Sequence, residues 1–283
     1  MCGFENAVCL RAGAWEACVV PAFGMNMVLL RCGGKAILRE AGDMKTLKDS
    51  PFLYGTPLLF PANRTSGGAF TFEGETYHLP VNEPNWNNHL HGLMYNAPFT
   101  VTKQSESSVT AVYENRGERY PFPFRMEITD TLDRAGMRRR ITLTNTGSKA
   151  MPYTMAFHTS FREPERFTVQ IGKKHERSAT FVPTGRMEEL NAQEQTYLTG
   201  CCPRGIAISG YFEAAGTDAY LDDIRFTASE GFDQRVLFNG GGEQGFLCIE
   251  PQAGWVNGLN IPSAHKVLGA GENAQYEIAI GKV

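Results

Sequence analysis

The sequence has no run of about 18 apolar residues, so no membrane-spanning helix is expected. It has no basic excess either. Its 27 Lys and Arg stand against 30 Asp and Glu, a net charge of −3 that argues against a nucleic-acid partner. The start, Met1-Cys2-Gly3-Phe4-Glu5-Asn6, lacks the basic-then-apolar layout of a secretory leader. Cysteine is sparse and irregular: seven residues, an odd number, with Cys201-Cys202 adjacent rather than spaced as a metal-binding CxxC. That usage is expected of free thiols in a reducing cytoplasm. Long helical periodicity is missing, and only residues 38–48 suggest a turn or two. There is no solenoid-length repeat and no shift in composition, because 30 Gly and 15 Pro are spread throughout. A single domain over 1–283 is expected, and a hydrophobic content of 42% is enough to build its core.

What is present is period-two alternation. Residues 69–79 read as strand, tight turn at Glu73-Gly74, strand. Residues 16–24 and 25–32 look like an opening pair, and 108–113, 124–132, 138–145, 151–158, 245–250 and 275–280 follow as strands. The fold class is therefore all-β, a large sandwich of antiparallel strands.

Polar residues able to do chemistry fall at the ends of these strands, where β proteins build sites. Asn63-Arg64 and Asn88-His89-Leu90-His91-Gly92 flank the hairpin. On a strand His89 and His91 would share a face and could bind a metal, bind a ligand or simply pack. A metal site needs further ligands, and no carboxylate follows in Gly92-Leu93-Met94-Tyr95. His158 closes the run 152–157, as a structural residue or as an acid or base. Glu250 ends the apolar run 246–249. If it shares a face with Phe246 and Cys248, apolar neighbours raise its pKa and suit it to base chemistry; the alternative is an ion pair with an arginine. Asp222-Asp223 reads as a solvated loop pair, and Arg138-Arg139-Arg140 as a solvated edge.

Taken in order, these pieces resemble the galactose mutarotase (aldose 1-epimerase) superfamily over nearly the whole chain. The resemblance is carried by Asn63-Arg64, Asn82, Asn88-His89-Leu90-His91-Gly92, Tyr120-Pro121-Phe122, Leu143-Thr144-Asn145-Thr146-Gly147, Met151-Pro152 with His158, Val182-Pro183-Thr184-Gly185, and Cys248-Ile249-Glu250-Pro251-Gln252. It implies a β-supersandwich with a sugar cleft, in which Glu250 is the general base and His158 the general acid. Arg64 and His91, with Asn63 and His89 beside them, would bind sugar hydroxyls, and Asp223, or else Asp222, a further one. It implies neither metal nor organic cofactor, and a small sugar as partner of a monomer or homodimer. Three functions are compatible with it: an aldose 1-epimerase for a free hexose, an epimerase for a hexose 6-phosphate, and a non-catalytic carbohydrate-binding protein. The second would need a basic cluster, for which Arg64, Arg162 and 138–140 are candidates. Departures lie in the pocket walls: Leu93 follows the HG pair, Thr159-Ser160-Phe161 follows His158, and Ala253-Gly254-Trp255 follows the base motif. Trp86 and Trp255 could stack on a sugar or pack in the core.

Overall fold

Alternation in the sequence becomes alternation in burial. In the strand Phe124–Leu132, Phe124, Met126, Ile128, Asp130 and Leu132 are buried and the residues between them less so. The same pattern runs through Ser108–Asn115 and Gly136–Asn145, its two antiparallel neighbours. One apolar face per strand is what holds such a sheet against a second layer. The computed structural model describes residues 3–283; Met1 and Cys2, part of the leader reading, lie outside them.

A long antiparallel sheet is the centre of the molecule. Its order runs Thr100–Gln104, Ser108–Asn115, Phe124–Leu132, Gly136–Asn145, Asn273–Lys282, Ile224–Ala228, Ser209–Leu221, Gln234–Phe238, Phe246–Ala253, Met155–Phe157 and Leu58–Leu59. A four-stranded antiparallel sheet, Val8–Ala12, Trp15–Val20, Asn26–Cys32 and Lys35–Ala36, packs against the first part of it. Leu10, Trp15, Val19 and Met27 from the small sheet join Met126, Ile128, Ile141 and Ile278 from the large one in a common core. The antiparallel sandwich is thus the observed fold, and no helix among the described residues is long and apolar enough to cross a membrane.

Local readings fared unevenly. The hairpin Ala69–Phe72 with Glu75–His78 forms in the expected register, with Glu73 and Gly74 both at positive φ, as a two-residue turn requires. Residues 151–158 do not form one strand. Met151–Tyr153 pairs with Lys266–Leu268, while Met155–Phe157 pairs with Phe246–Ala253 and Leu58–Leu59. The helix within 38–48 narrows to Met44–Asp49, capped by Asp43, and Leu38 instead bridges Phe161. The reading of Arg138-Arg139-Arg140 as a solvated edge is corrected at its centre. Arg138 and Arg140 face outward onto Glu277, but Arg139 points inward and is fully buried against Asp130. Strand alternation forces that division.

Candidate active site

The floor of the site is the strand Phe246–Ala253, every residue of which is buried. Alternation places Phe246, Cys248, Glu250 and Gln252 on one face. The neighbouring strands extend that face. Phe238 lies opposite Cys248, Val236 opposite Glu250, Gln234 opposite Gln252, and Tyr211 opposite Val236. On the other side Ser160 lies opposite Cys248, with Oγ and Sγ 3.1 Å apart.

His158 comes in where Met155–Phe157 ends. Its backbone N–H donates to the Pro57 carbonyl at 2.9 Å, which fixes the ring over the floor. There Nε2 lies 3.3 Å from Glu250 Oε1, with both side chains almost fully buried. The remaining atoms, His158 Nδ1 and Glu250 Oε2, have no hydrogen-bond partner among the described residues. Glu250 shares a face with Phe246 and Cys248, and among the described residues it has no ion pair with an arginine. A buried polar atom left without a partner costs about 1–3 kcal/mol. Such a cost is tolerated where a ligand supplies the partner.

The strand Arg64–Ser66 pairs with Asn88–Leu90, so Arg64 and Leu90 share one face and Thr65 and His89 the other. The expectation that His89 and His91 share a face is corrected. The strand stops at Leu90, and His91 and Gly92 take positive φ of 65° and 67°. His89 turns away and its Nδ1 meets the Pro80 carbonyl at 2.7 Å. His91 turns toward the floor, its ring 4.5 Å from Phe52 and 5.4 Å, edge-on, from His158. Only glycine can follow it, because a Cβ on Gly92 would sit 2.0 Å from the Phe60 carbonyl oxygen.

Arg64 is clamped rather than free. Nε and Nη2 donate to Glu83 Oε2 and Oε1 at 2.8 and 2.7 Å, and Nη1 donates to the Tyr211 hydroxyl at 2.9 Å. Asn63 Oδ1 lies 3.5 Å from the same Nη1, and the Asn63 carbonyl accepts from the His91 N–H. Glu83, Tyr211 and Phe52 are site residues with no signal in the sequence. They arrive from a loop, a remote strand and a turn, with no motif around them.

Burial sets the electrostatics. It pushes the Glu250 carboxyl well above its usual range, and the Arg64 charge opposes that rise. It pulls the His158 imidazole down to about 4 and the His91 imidazole well below its ordinary value, the latter helped by His158 and Arg64. Both shifts run toward an uncharged carboxyl beside an uncharged imidazole, a pair that holds one titratable proton between its two groups. His158, Cys248 and Glu250 also offer ligand atoms within 4.8 Å of one another, so a metal, if any, would meet these three rather than the two histidines of the HxH segment.

The structure does not bring Asp223 to this cluster. It sits half-exposed where Ser209–Leu221 turns into Ile224–Ala228, paired with Lys282 at 3.0 Å. Asp222 caps the backbone N–H groups of Glu165 and Arg166. Of the tryptophans left open, Trp86 is 38% exposed and meets Phe181 edge-on at 5.1 Å, while Trp255 packs on His175 at 4.5 Å.

The sequence profile of the aldose 1-epimerase family matches residues 7–208. Two Escherichia coli K12 proteins, the uncharacterized YihR and YphB, are 26% identical over 114 residues and 30% identical over 106. These segments are 39% and 37% of this chain and only 37% and 36% of the relatives. The fold is similar to that of a galactose mutarotase-like protein from Clostridium acetobutylicum, with a TM-score of 0.90 at 24% identity over 98% of this chain and 95% of that one. It is also similar to galactose 1-epimerase from Lactobacillus acidophilus, with a TM-score of 0.78 at 15% identity over 96% and 92% of the two chains.

Proposed function

This chain belongs to the aldose 1-epimerase family, and from that premise we propose that it interconverts the α and β anomers of a hexose through Glu250 and His158. One observation carries the reading: a carboxyl and an imidazole 3.3 Å apart, both buried, each with an unpartnered polar atom. Glu250 takes the proton of the anomeric hydroxyl. The C1–O5 bond breaks as His158 gives its proton to the ring oxygen. The aldehyde turns about C1–C2, O5 attacks its other face, and the two protons return. Burial alone favours the neutral pair, with its proton on the carboxyl. A sugar hydroxyl donating to Glu250, together with the Arg64 charge, favours carboxylate and imidazolium, the form from which both transfers start. Each transfer contributes about 10²–10⁴-fold. His91 and the Arg64–Tyr211 pair would hold the hydroxyls. The unpartnered carboxyl and imidazole favour catalysis over mere binding, since a binding site has no need of a proton donor and acceptor in contact.

The pH profile tests this. Below about 4 His158 takes a second proton, no base remains, and activity falls. At high pH the pair loses its one proton and activity falls again, on a limb displaced upward by the raised Glu250 value. Polarimetry of fresh α-D-glucose or α-D-galactose should give a plateau between these limbs. A profile following an unshifted histidine near 6.5 would contradict the pairing.

A further inference from the structure

Arg39 stands apart from the other arginines. Of the arginines among the described residues it alone has a buried side-chain nitrogen, Nη1, without a hydrogen-bond partner, and its guanidinium belongs to no ion pair found there. It is held by rings instead: its guanidinium carbon lies 4.2 Å from the centre of Phe246 and 4.9 Å from that of Tyr54. Aromatic faces retain a cation while leaving its N–H groups free. Arg64, by contrast, is neutralised by Glu83.

Its position matters as much as its freedom. Phe246 is on the same strand face as Glu250, four residues earlier. The rings run without a gap between them, Phe246 to Phe238 at 5.9 Å and Phe238 to His158 at 6.5 Å. Burial and the Glu250 charge push up the thiol of Cys248, the residue between Phe246 and Glu250 on that face, and the Arg39 charge is near enough to oppose that rise. Each pair of strand residues advances about 7 Å, so Arg39 lies about 7–13 Å along the floor from the base. With a hydrogen bond at each end, that span suits a hexose whose anomeric hydroxyl meets the base and whose far end carries an oxyanion to Arg39.

We propose that Arg39 receives an oxyanion on the sugar, a phosphate or a carboxylate at the end away from C1, and that the preferred substrate is an acidic aldose. The proposal rests on the epimerase reading above. It differs in its residue from the basic cluster first considered, because Arg138 and Arg140 are paired with Glu277, and Arg162 lines a separate cleft with Asp222 and Asp223.

The test is saturation-transfer NMR of anomer exchange with D-glucose, D-glucose 6-phosphate and D-glucuronate, for wild type, Arg39→Gln and Arg39→Lys. One acidic sugar should exceed glucose in kcat/KM by about 10- to 150-fold, the worth of a charge-assisted hydrogen bond. Which acid gains identifies the oxyanion. Arg39→Gln should collapse the margin and Arg39→Lys should restore part of it. Glucose served as well as both acids, or a margin that survives Arg39→Gln, would overturn the assignment and leave the epimerase standing. If none of the three sugars exchanges faster than in buffer, the epimerase reading falls and Arg39 with it. Should Arg39→Gln not fold, inorganic phosphate and acetate, each added to the wild type, decide: competition with the sugar by either supports the site, and competition by neither refutes it.

Discussion

Replacing Glu250 by glutamine should slow anomer exchange about 10²–10⁴-fold, the loss of one general base. The change is nearly isosteric and adds no volume to a strand that has no room for any. It removes the acceptor on which the reaction turns, because an amide cannot take the proton of the anomeric hydroxyl. Binding should survive, since His91, Arg64 and Tyr211 are untouched. The expected signature is therefore a fall in kcat with KM little changed. The same substitution deletes a carboxyl that burial already disfavours in its charged form, so stability should hold or rise. Full activity in Glu250→Gln would disprove the role.

The second large effect is on stability. Arg139→Met should cost about 3–5 kcal/mol, because it leaves the Asp130 carboxylate buried and unpaired. Arg139 donates through Nε and Nη2 to the two Asp130 oxygens at 2.7 Å each, and both side chains are fully buried. It also reaches the Thr56 hydroxyl at 2.7 Å and the Met25 carbonyl at 2.6 Å. It thus joins the large sheet to the turn between Trp15–Val20 and Asn26–Cys32 in the small one and to the segment that leads to Leu58. Urea unfolding measures the loss as a shift in midpoint. Combining Arg139→Met with Asp130→Leu should recover part of it, since an apolar pair of similar volume needs no partner. A loss below about 1 kcal/mol in the single variant would mean that the pair is not the closed ion pair described here.

The fold was legible where one face of a strand is buried and the other is not. Residues 124–132 become the strand Phe124–Leu132 with the expected ends. Glu73-Gly74 was readable because a two-residue hairpin turn needs positive φ. Parity along 246–250 correctly placed Glu250 with Phe246 and Cys248. The same parity failed for His89 and His91, because a single left-handed residue resets which side the chain presents, and nothing in Leu90-His91-Gly92 says on which residue the strand ends. In Arg138-Arg139-Arg140 alternation sends the middle guanidinium into the core. The short helix Ala192–Thr199 is marked in the sequence by its capping box, Asn191 and Glu194. Glu83, Tyr211, Phe52 and Arg39 were beyond reach. Each is brought to the cleft by tertiary packing of segments far apart in sequence, and none sits in a pattern of its own.

The most direct measurement is saturation transfer between the α and β anomers of a hexose at neutral pH, comparing wild type with His158→Ala. The account predicts exchange well above the buffer rate in the wild type, and a loss of about 10²–10⁴-fold in the variant with the fold retained. Exchange that is undiminished in His158→Ala, or a wild type no faster than buffer with neutral and acidic hexoses alike, would contradict it.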